Sequence, residues 1–347
     1  MKKFLPYIIV FICLVAGVSY FVYEYSPSTL EKKESEFAIP NIADVTRVKL
    51  SDTQGQTVDL TLKDKKWIVN GKYEANEATR DILFTALQKL ETNYRSPENA
   101  EKFVLKDMGT QHTKCEIYMN NDDKPFKIYY VGGPTADGKG TYMIMERDGR
   151  MARHSYVTHV PGVDAYLTGR YYPQEERWRS IWIFRDNSET IQSLKVTYIR
   201  EKQKSLEITR VAKDSFVIAN SEGQVLEQPK QRFIHQYLDF YNGLSLEAFA
   251  NKEPAKDTII PTEPFCIVSL KRTDKTEQNV IIYYIPVNDR THVQYDEQGN
   301  RLLYDPEHYY ALFNDKKDFA LIQFYTWGKV LRNYQDFFVK PAAPKTP

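Results

Sequence analysis

A stretch of alternating residues occurs twice in this chain, and that recurrence narrows the possible folds more than any other feature. KCEIYMN…FKIYYVGGPTADGKGTYMIMERDG starts at Lys114, and FCIVSLK…VIIYYIPVNDRTHVQYDEQG starts at Phe265. Cys115 aligns with Cys266, Ile117 with Val268 and Met119 with Leu270, all at an offset of 151 (266 − 115 = 151). Upstream matches keep the same order. Val45, Val48 and Leu50 match Ile191, Leu194 and Val196 at offset 146; Val58 and Leu60 match Leu206 and Ile208 at 148. Trp67 and Val69 match Phe216 and Ile218 at 149. Slowly growing offsets are what insertions between duplicated elements leave behind. The expected architecture is therefore one module used twice.

The local periods say what the module contains. Val45, Val48, Leu50 and Val58, Leu60, Leu62 flank the turn-like SDTQGQ and read as a β-hairpin. Trp67, Val69 and the turn Asn70-Gly71 continue the meander. The period then changes, with Ile82, Leu83, Ala86, Leu87 and Leu90 on one helical face behind Asn76 as cap. Ser96-Pro97-Glu98 predicts a second helix start, with Phe103, Val104 and Met108 as its stripe and Gly109 as its stop. Phe233, Ile234, Tyr237, Leu238 and Tyr241 repeat the first helix face, and Pro306 predicts a helix start near the C-terminus. The fold class expected is α+β, two tandem modules that are each an antiparallel sheet packed with one or two helices.

Met1-Lys2-Lys3 precedes an apolar run over residues 4–23 broken only by Pro6 and Ser19. That length matches a bilayer core. The lysines on one side, and Glu24, Glu31, Glu34 and Glu36 on the other, place the N-terminus in the cytoplasm. A cleaved signal peptide would need a polar cleavage region, and the run continues through Tyr20 to Tyr23 without one. The expected layout is an anchor (residues 1–26), a polar stalk (27–40), a first module (41–184), a second (185–335) and a mobile tail (336–347). The bulk of the chain then lies on the periplasmic side of an inner membrane.

Composition excludes more than it suggests. A formal net charge of +1, from 47 basic and 46 acidic residues, gives no electrostatic reason for a nucleic-acid partner. Three cysteines are too few for a disulfide scaffold, and Cys115 and Cys266 read as small buried strand residues. GGPTADGKGT at residues 132–141 lacks the spacer and the step into a helix of a phosphate loop. Histidines stand at no metal-ligand spacing, and no Gly-x-Ser-x-Gly elbow is present. No catalytic residue, metal or cofactor is expected.

The richest stretch for binding is HVPGVDAYLTGRYYPQEERWR, residues 159–179. His159, Tyr166, Arg170, Tyr171, Tyr172, Trp178 and Arg179 are of types enriched at binding hot spots. The competing reading is a connector whose aromatics pack between the two modules.

EFAIPNIADVTRVKL, KKWIVNGKYEAN, LQKLET, KCEIY, YYVGGPTADGKGTYM and HVPGVDAYLTGRYY…WR follow one another in an order that resembles a known family. It is an uncharacterised bacterial domain family of Bacteroidetes-type envelopes, with tandem α+β repeats behind one N-terminal membrane segment. The resemblance covers most of residues 37–185 and is weaker for the second copy. Relatives are sometimes linked with auxiliary components of gliding-type ABC transporters, so the resemblance implies a membrane complex of transporter type and no activity. The expected function is a non-catalytic, membrane-anchored accessory protein. The alternatives are a periplasmic module that binds glycan or peptide, and an enzyme of unrecognised type.

Overall fold

The computed structural model describes residues 13–16, 32–147, 149–226 and 229–337. The chain divides into two compact units, Met1–Ser180 and Ile181–Pro347. The boundary lies earlier than the expected 184/185, because Ile183 and Phe184 are buried in the core of the second unit. Both units are sheet-rich with few helices.

The first unit is built on strands β1 (Val45–Asp52), β2 (Thr57–Lys63), β3 (Lys66–Val69), β4 (Tyr73–Glu74) and β5 (Glu91–Arg95). They are joined by β6 (Thr113–Met119), β7 (Lys127–Pro134), β8 (Thr141–Arg147), β9 (Arg150–Met151) and β10 (Tyr156–His159). All but β9, which pairs with β8, follow the order β4-β3-β2-β1-β6-β7-β8-β10-β5. Val48 faces Leu60 and Leu50 faces Val58 across the first hairpin, as the alternation requires. Asn70 and Gly71 both take positive φ angles in the tight turn after β3.

Helix α1 (Glu77–Lys89) opens on Asn76, whose side chain accepts from the Ala78 and Thr79 N–H groups. It buries Leu83, Ala86 and Leu87, with Leu90 just beyond. Ile82 is exposed, since a spacing of one residue turns it about 100° off that face. Helix α2 (Glu98–Thr110) buries Val104 and Met108 and leaves Phe103 exposed. It runs through Gly109, and Ser96 does not cap it: the Ser155 hydroxyl donates to the Ser96 Oγ instead. Met108 explains Gly132, where an added Cβ would lie 2.8 Å from the Met108 Cγ.

The polar-stalk expectation needs correction. A short helix, Lys32–Ser35, leads into a segment whose Phe37 and Ile39 are core residues. The Ile39 N–H donates to the Leu87 carbonyl at 2.8 Å, and Lys127 Nζ donates to the Glu36 and Ala38 carbonyls at 2.6 and 2.7 Å. Burying those two side chains outweighs the charge of the residues around them.

The second unit contains β11 (Trp182–Arg185), β12 (Ile191–Tyr198), β13 (Leu206–Ala212), β14 (Ser215–Asn220), β15 (Asn242–Ser245) and β16 (Ala248–Phe249). Strands β17 (Cys266–Arg272), β18 (Glu277–Pro286), β19 (Tyr304–Phe313) and β20 (Asp318–Gln323) follow. The main sheet runs β14-β13-β12-β17-β18-β19-β20-β16, while β11 and β15 form a separate ribbon. In both units the far-edge strand comes from the stretch after the helix (α1, or α3 at Gln231–Asp239), and the hairpin strands form the opposite end. Helix α3 buries Ile234, Tyr237 and Leu238, with Tyr241 following, and leaves Phe233 exposed.

The registers also expose a slip. Cys115 stands opposite Leu50, but Cys266 stands opposite Tyr198, and it is Val268 that faces Val196. The sequence match of the cysteines is thus two residues out of register with the hairpin matches. A two-residue slip preserves the face, so both cysteines are buried, and both are free. Burial pushes the Cys115 thiol up to about 12.

Pro306 starts no helix; it lies in β19. Tyr334–Phe337 forms a short 3-10 turn with Tyr334 buried, so the expected tail begins inside folded chain, and residues 338–347 lie outside the described residues. The expected anchor also lies outside them apart from Cys13 to Ala16, which are helical. Among the described residues no helix is long and apolar enough to cross a membrane.

Candidate functional site

The structure separates the seven residues expected to form an interaction surface. Tyr171, Trp178 and Arg179 are buried in the first unit. The Tyr171 and Tyr129 hydroxyls are 3.1 Å apart, Trp178 Nε1 donates to the Tyr172 carbonyl at 2.6 Å, and the Arg179 guanidinium lies 3.6 Å from the Tyr73 ring centre. Arg170 reaches the Ile82 carbonyl at 3.5 Å, and His159 ends β10 half-buried. Tyr166 and Tyr172 remain exposed. The segment is therefore core cover for its own unit: Leu167, Tyr171 and Trp178 join the main hydrophobic cluster. The connector reading placed those rings between modules; Leu167, Tyr171 and Trp178 pack within their own unit.

This cover closes one end of the first sheet. The Leu167 N–H donates to Thr141 Oγ1 at 2.7 Å, and Thr168 Oγ1 donates to the Gly132 carbonyl at 2.8 Å. A cavity of about 310 Å³ beside Gly132 and Gly133 is lined by Asp52, Asp107, His112 and Thr168 among others. Two of its polar side chains are engaged locally. His112 Nδ1 is 2.6 Å from the Met108 carbonyl, and Asp52 Oδ1 accepts from the Gln54 and Gln56 N–H groups. The loop that follows is a turn held by its own side chains, with Gly140 N–H donating to Thr135 Oγ1 and Lys139 N–H to Asp137 Oδ1.

The second unit is different at the matching end. Phe265, Tyr284, Tyr304, Tyr309 and Phe324 form a continuous aromatic strip. Phe265 stacks on Tyr309 with centroids 5.3 Å apart and planes 13° from parallel; Tyr284 stacks on Tyr304 at 4.3 Å and 19°. Tyr309 meets Tyr284 at 6.0 Å and Phe324 at 6.2 Å. Tyr309 is buried, Phe265, Tyr284 and Tyr304 are half-buried, Phe324 is 47% exposed and the adjacent Tyr325 is 94% exposed. Burial pushes the Tyr309 hydroxyl up to about 12 and the Tyr284 hydroxyl upward as well, so both rings stay neutral at physiological pH. Arg200 Nε donates to Glu263 Oε2 at 2.7 Å beside the strip.

A bulge builds this strip. Tyr309 pairs with Tyr284 and Tyr304 with Pro286, so five residues of β19 answer two of β18. Asp305 holds the extra residues, its Oδ1 accepting from the Glu307 and His308 N–H groups at 2.7 and 3.1 Å. Residues five apart would ordinarily face opposite ways; the bulge puts Tyr304 and Tyr309 on one face. Sequence reading missed the strip because Asp305-Pro306 mimics a capped helix start. The rings themselves were visible, but nothing local marked them as uncovered.

No family model matches the chain, and neither does any curated protein or solved structure. The function must be argued from the geometry.

Proposed function

We propose that this chain is a membrane-tethered, periplasm-facing binding protein that performs no chemistry of its own, and that the aromatic end of its second unit docks a protein of a membrane complex. The observation that carries the reading is the strip ending in exposed Phe324 and Tyr325. Large, rigid, half-exposed rings next to an ion-paired arginine have the composition of an interface centre and rim. The sequence resemblance to an envelope family linked with transporter auxiliaries suggests the kind of partner. On the same reading the two units are copies of one module, a view supported by their common strand succession and by a bulge near the start of β1 and of β12.

The tether makes the reading specific. An apolar anchor ending near residue 26 leaves five residues before the Lys32–Ser35 helix, a reach of about 17 Å when extended. The first unit is held near the bilayer, which raises its effective concentration for a membrane partner.

The test is photo-crosslinking in intact cells from a reactive residue at Tyr325, followed by detergent extraction and mass spectrometry. Crosslinks to defined membrane-complex subunits, weakened when residues 1–26 are replaced by a cleavable export signal, are expected. Crosslinks absent from position 325, or scattered over abundant proteins, would reject the docking face. A second reading, glycan binding, is favoured by the near-parallel rings, whose flat faces suit stacking on a sugar. Saturable binding of envelope glycan to the purified chain, lost in Tyr284→Ala, would replace the first reading with that one.

A further inference from the structure

We propose that Asp305, Glu307, His308 and His292 bind a divalent first-row transition ion of the zinc class. One ligand atom from each of Asp305, Glu307 and His308 lies within 4.8 Å of the others. The donors stand in two close pairs, the second of which brings in His292 from outside that group. Asp305 Oδ2 is 3.3 Å from His308 Nδ1, and Glu307 Oε2 is 3.3 Å from His292 Nδ1. Ligands on a tetrahedral ion with bonds of about 2.1 Å are about 3.4 Å apart, so each pair has the spacing of one edge of that coordination shell. Glu307 and His292 are exposed and can turn toward the ion, with Asp305 and the half-buried His308 as the more buried edge.

Two further observations separate this cluster from a solvated group of acids. The first is the second imidazole: a carboxylate and imidazole donor set suits zinc and its neighbours, whereas calcium and magnesium take oxygen alone. The second is Glu247. Its Oε2 lies 3.5 Å from His308 Nε2, on the far side of the ring from Asp305. An outer carboxylate that accepts a hydrogen bond from Nε2–H leaves the Nδ1 lone pair directed at the ion, the arrangement that orients metal-bound histidines. Asp305 is oriented in the same way, since the Glu307 and His308 N–H groups hold its Oδ1 and leave Oδ2 turned to the ring. Three carboxylates against two imidazoles also leave negative charge that a dication neutralises.

The ion would tie His292, in the loop over residues 287–303, to the bulge of β19 that sets Tyr304 in the aromatic strip. Metal occupancy would thus order one border of that strip. The site stands on its own geometry, whatever the strip binds.

The test uses the untagged full-length chain in detergent, stripped by chelation. It is titrated with Zn²⁺ by calorimetry and with Co²⁺ by visible absorption. Expected are one equivalent of Zn²⁺, the intense absorption of tetrahedral Co²⁺, and slowed hydrogen exchange over residues 287–303. Glu247→Gln should weaken binding about 10–100-fold. His308→Ala should abolish it, and His308→Gln, which keeps a hydrogen-bonding side chain, should do the same in a folded protein. His235→Ala, remote on α3, should change nothing. No saturable uptake, or uptake unchanged by either substitution at His308, overturns the proposal.

Discussion

The two units treat the same end of their sheets in opposite ways. In the first, Met143 faces Val131, and two residues on stands half-buried Gly133, next to Gly132, whose carbonyl accepts from Thr168 Oγ1. In the second, Ala311 packs across from Ile282, and two residues on stands Tyr284, paired with Tyr309 and open to solvent on one side. The first unit has glycine at that position and so presents no ring there, although an added Cβ at Gly133 would meet only Asp107 Oδ2 at 3.8 Å. The second carries a strip of rings there, and among the described residues no long segment comparable to 159–179 covers Phe324 and Tyr325. The segment over residues 159–179 packs Leu167, Tyr171 and Trp178 into the core of the first unit, while the rings of Phe324 and Tyr325 in the second are exposed.

That contrast predicts the largest mutational effect. Trp178 is fully buried and hydrogen-bonded, so Trp178→Ala should destabilise the first unit by about 3–5 kcal/mol. Tyr325, at 94% exposure, should change stability by less than about 0.5 kcal/mol when replaced by alanine. Urea unfolding of the two variants checks both. Equal effects would break the distinction between core-packed segment and open strip.

Acid should also discriminate between the units. Burial alone would raise the Glu101 carboxyl, but the His154 side chain, the Ser155 N–H and Arg95 outweigh it and hold the group below its ordinary range. Glu146 is likewise held low: burial again opposes, and Tyr130 and Lys114 prevail. A folded-state value below the unfolded one means fewer protons bound when folded. The stabilisation is therefore present above the ordinary carboxylate range and disappears as pH falls through the depressed values. In the second unit the carboxylates held low, Asp274 and Asp296, are bound by side-chain and backbone hydrogen bonds within their own turns. Acid titration followed by hydrogen exchange should show the first unit opening at the higher pH, and Glu101→Gln should flatten that dependence. Simultaneous opening of both units would count against this assignment.

What was legible in the sequence follows from which forces are local. The hairpin of Val48 and Leu50 with Leu60 and Val58, the Asn76 cap and the Asn70-Gly71 turn all depend on residues a few positions apart. Periods of two and 3.6 therefore found them. The helix faces were found with one residue too many each, Ile82, Phe103 and Phe233, because apolar character does not say which of two neighbours turns inward. The candidate surface at 159–179 went astray for a different reason. Tyrosine, tryptophan and arginine are the residues of interfaces and also of half-polar cores, and only long-range partners such as Tyr129 and Tyr73 decide between them. Phe37 and Ile39 were hidden among charges, and the β19 bulge was hidden by Pro306.

The smallest perturbation tests the register slip. Cys115 and Cys266 match in sequence, but their cross-strand partners are Leu50 and Tyr198, which stand at different places relative to the first hairpin of each unit. Directly opposed residues on antiparallel strands have Cα separations of about 4.5–5.5 Å, inside the span of a disulfide; diagonal neighbours stand about 7–8 Å apart and fall outside it. Leu50→Cys should therefore crosslink to Cys115 under mild oxidation. Val196→Cys, which the sequence alignment would place opposite Cys266, should not crosslink, while Tyr198→Cys should. The native thiols themselves should resist reagents until unfolding, since both are buried and burial disfavours the thiolate. A bridge from position 196 and none from 198 would restore the cysteine alignment and move the slip elsewhere in the sheet. The opposite result fixes Val268 as the register partner of Cys115, and with it the equivalence of Gly133 and Tyr284 on which the contrast between covered and open ends depends.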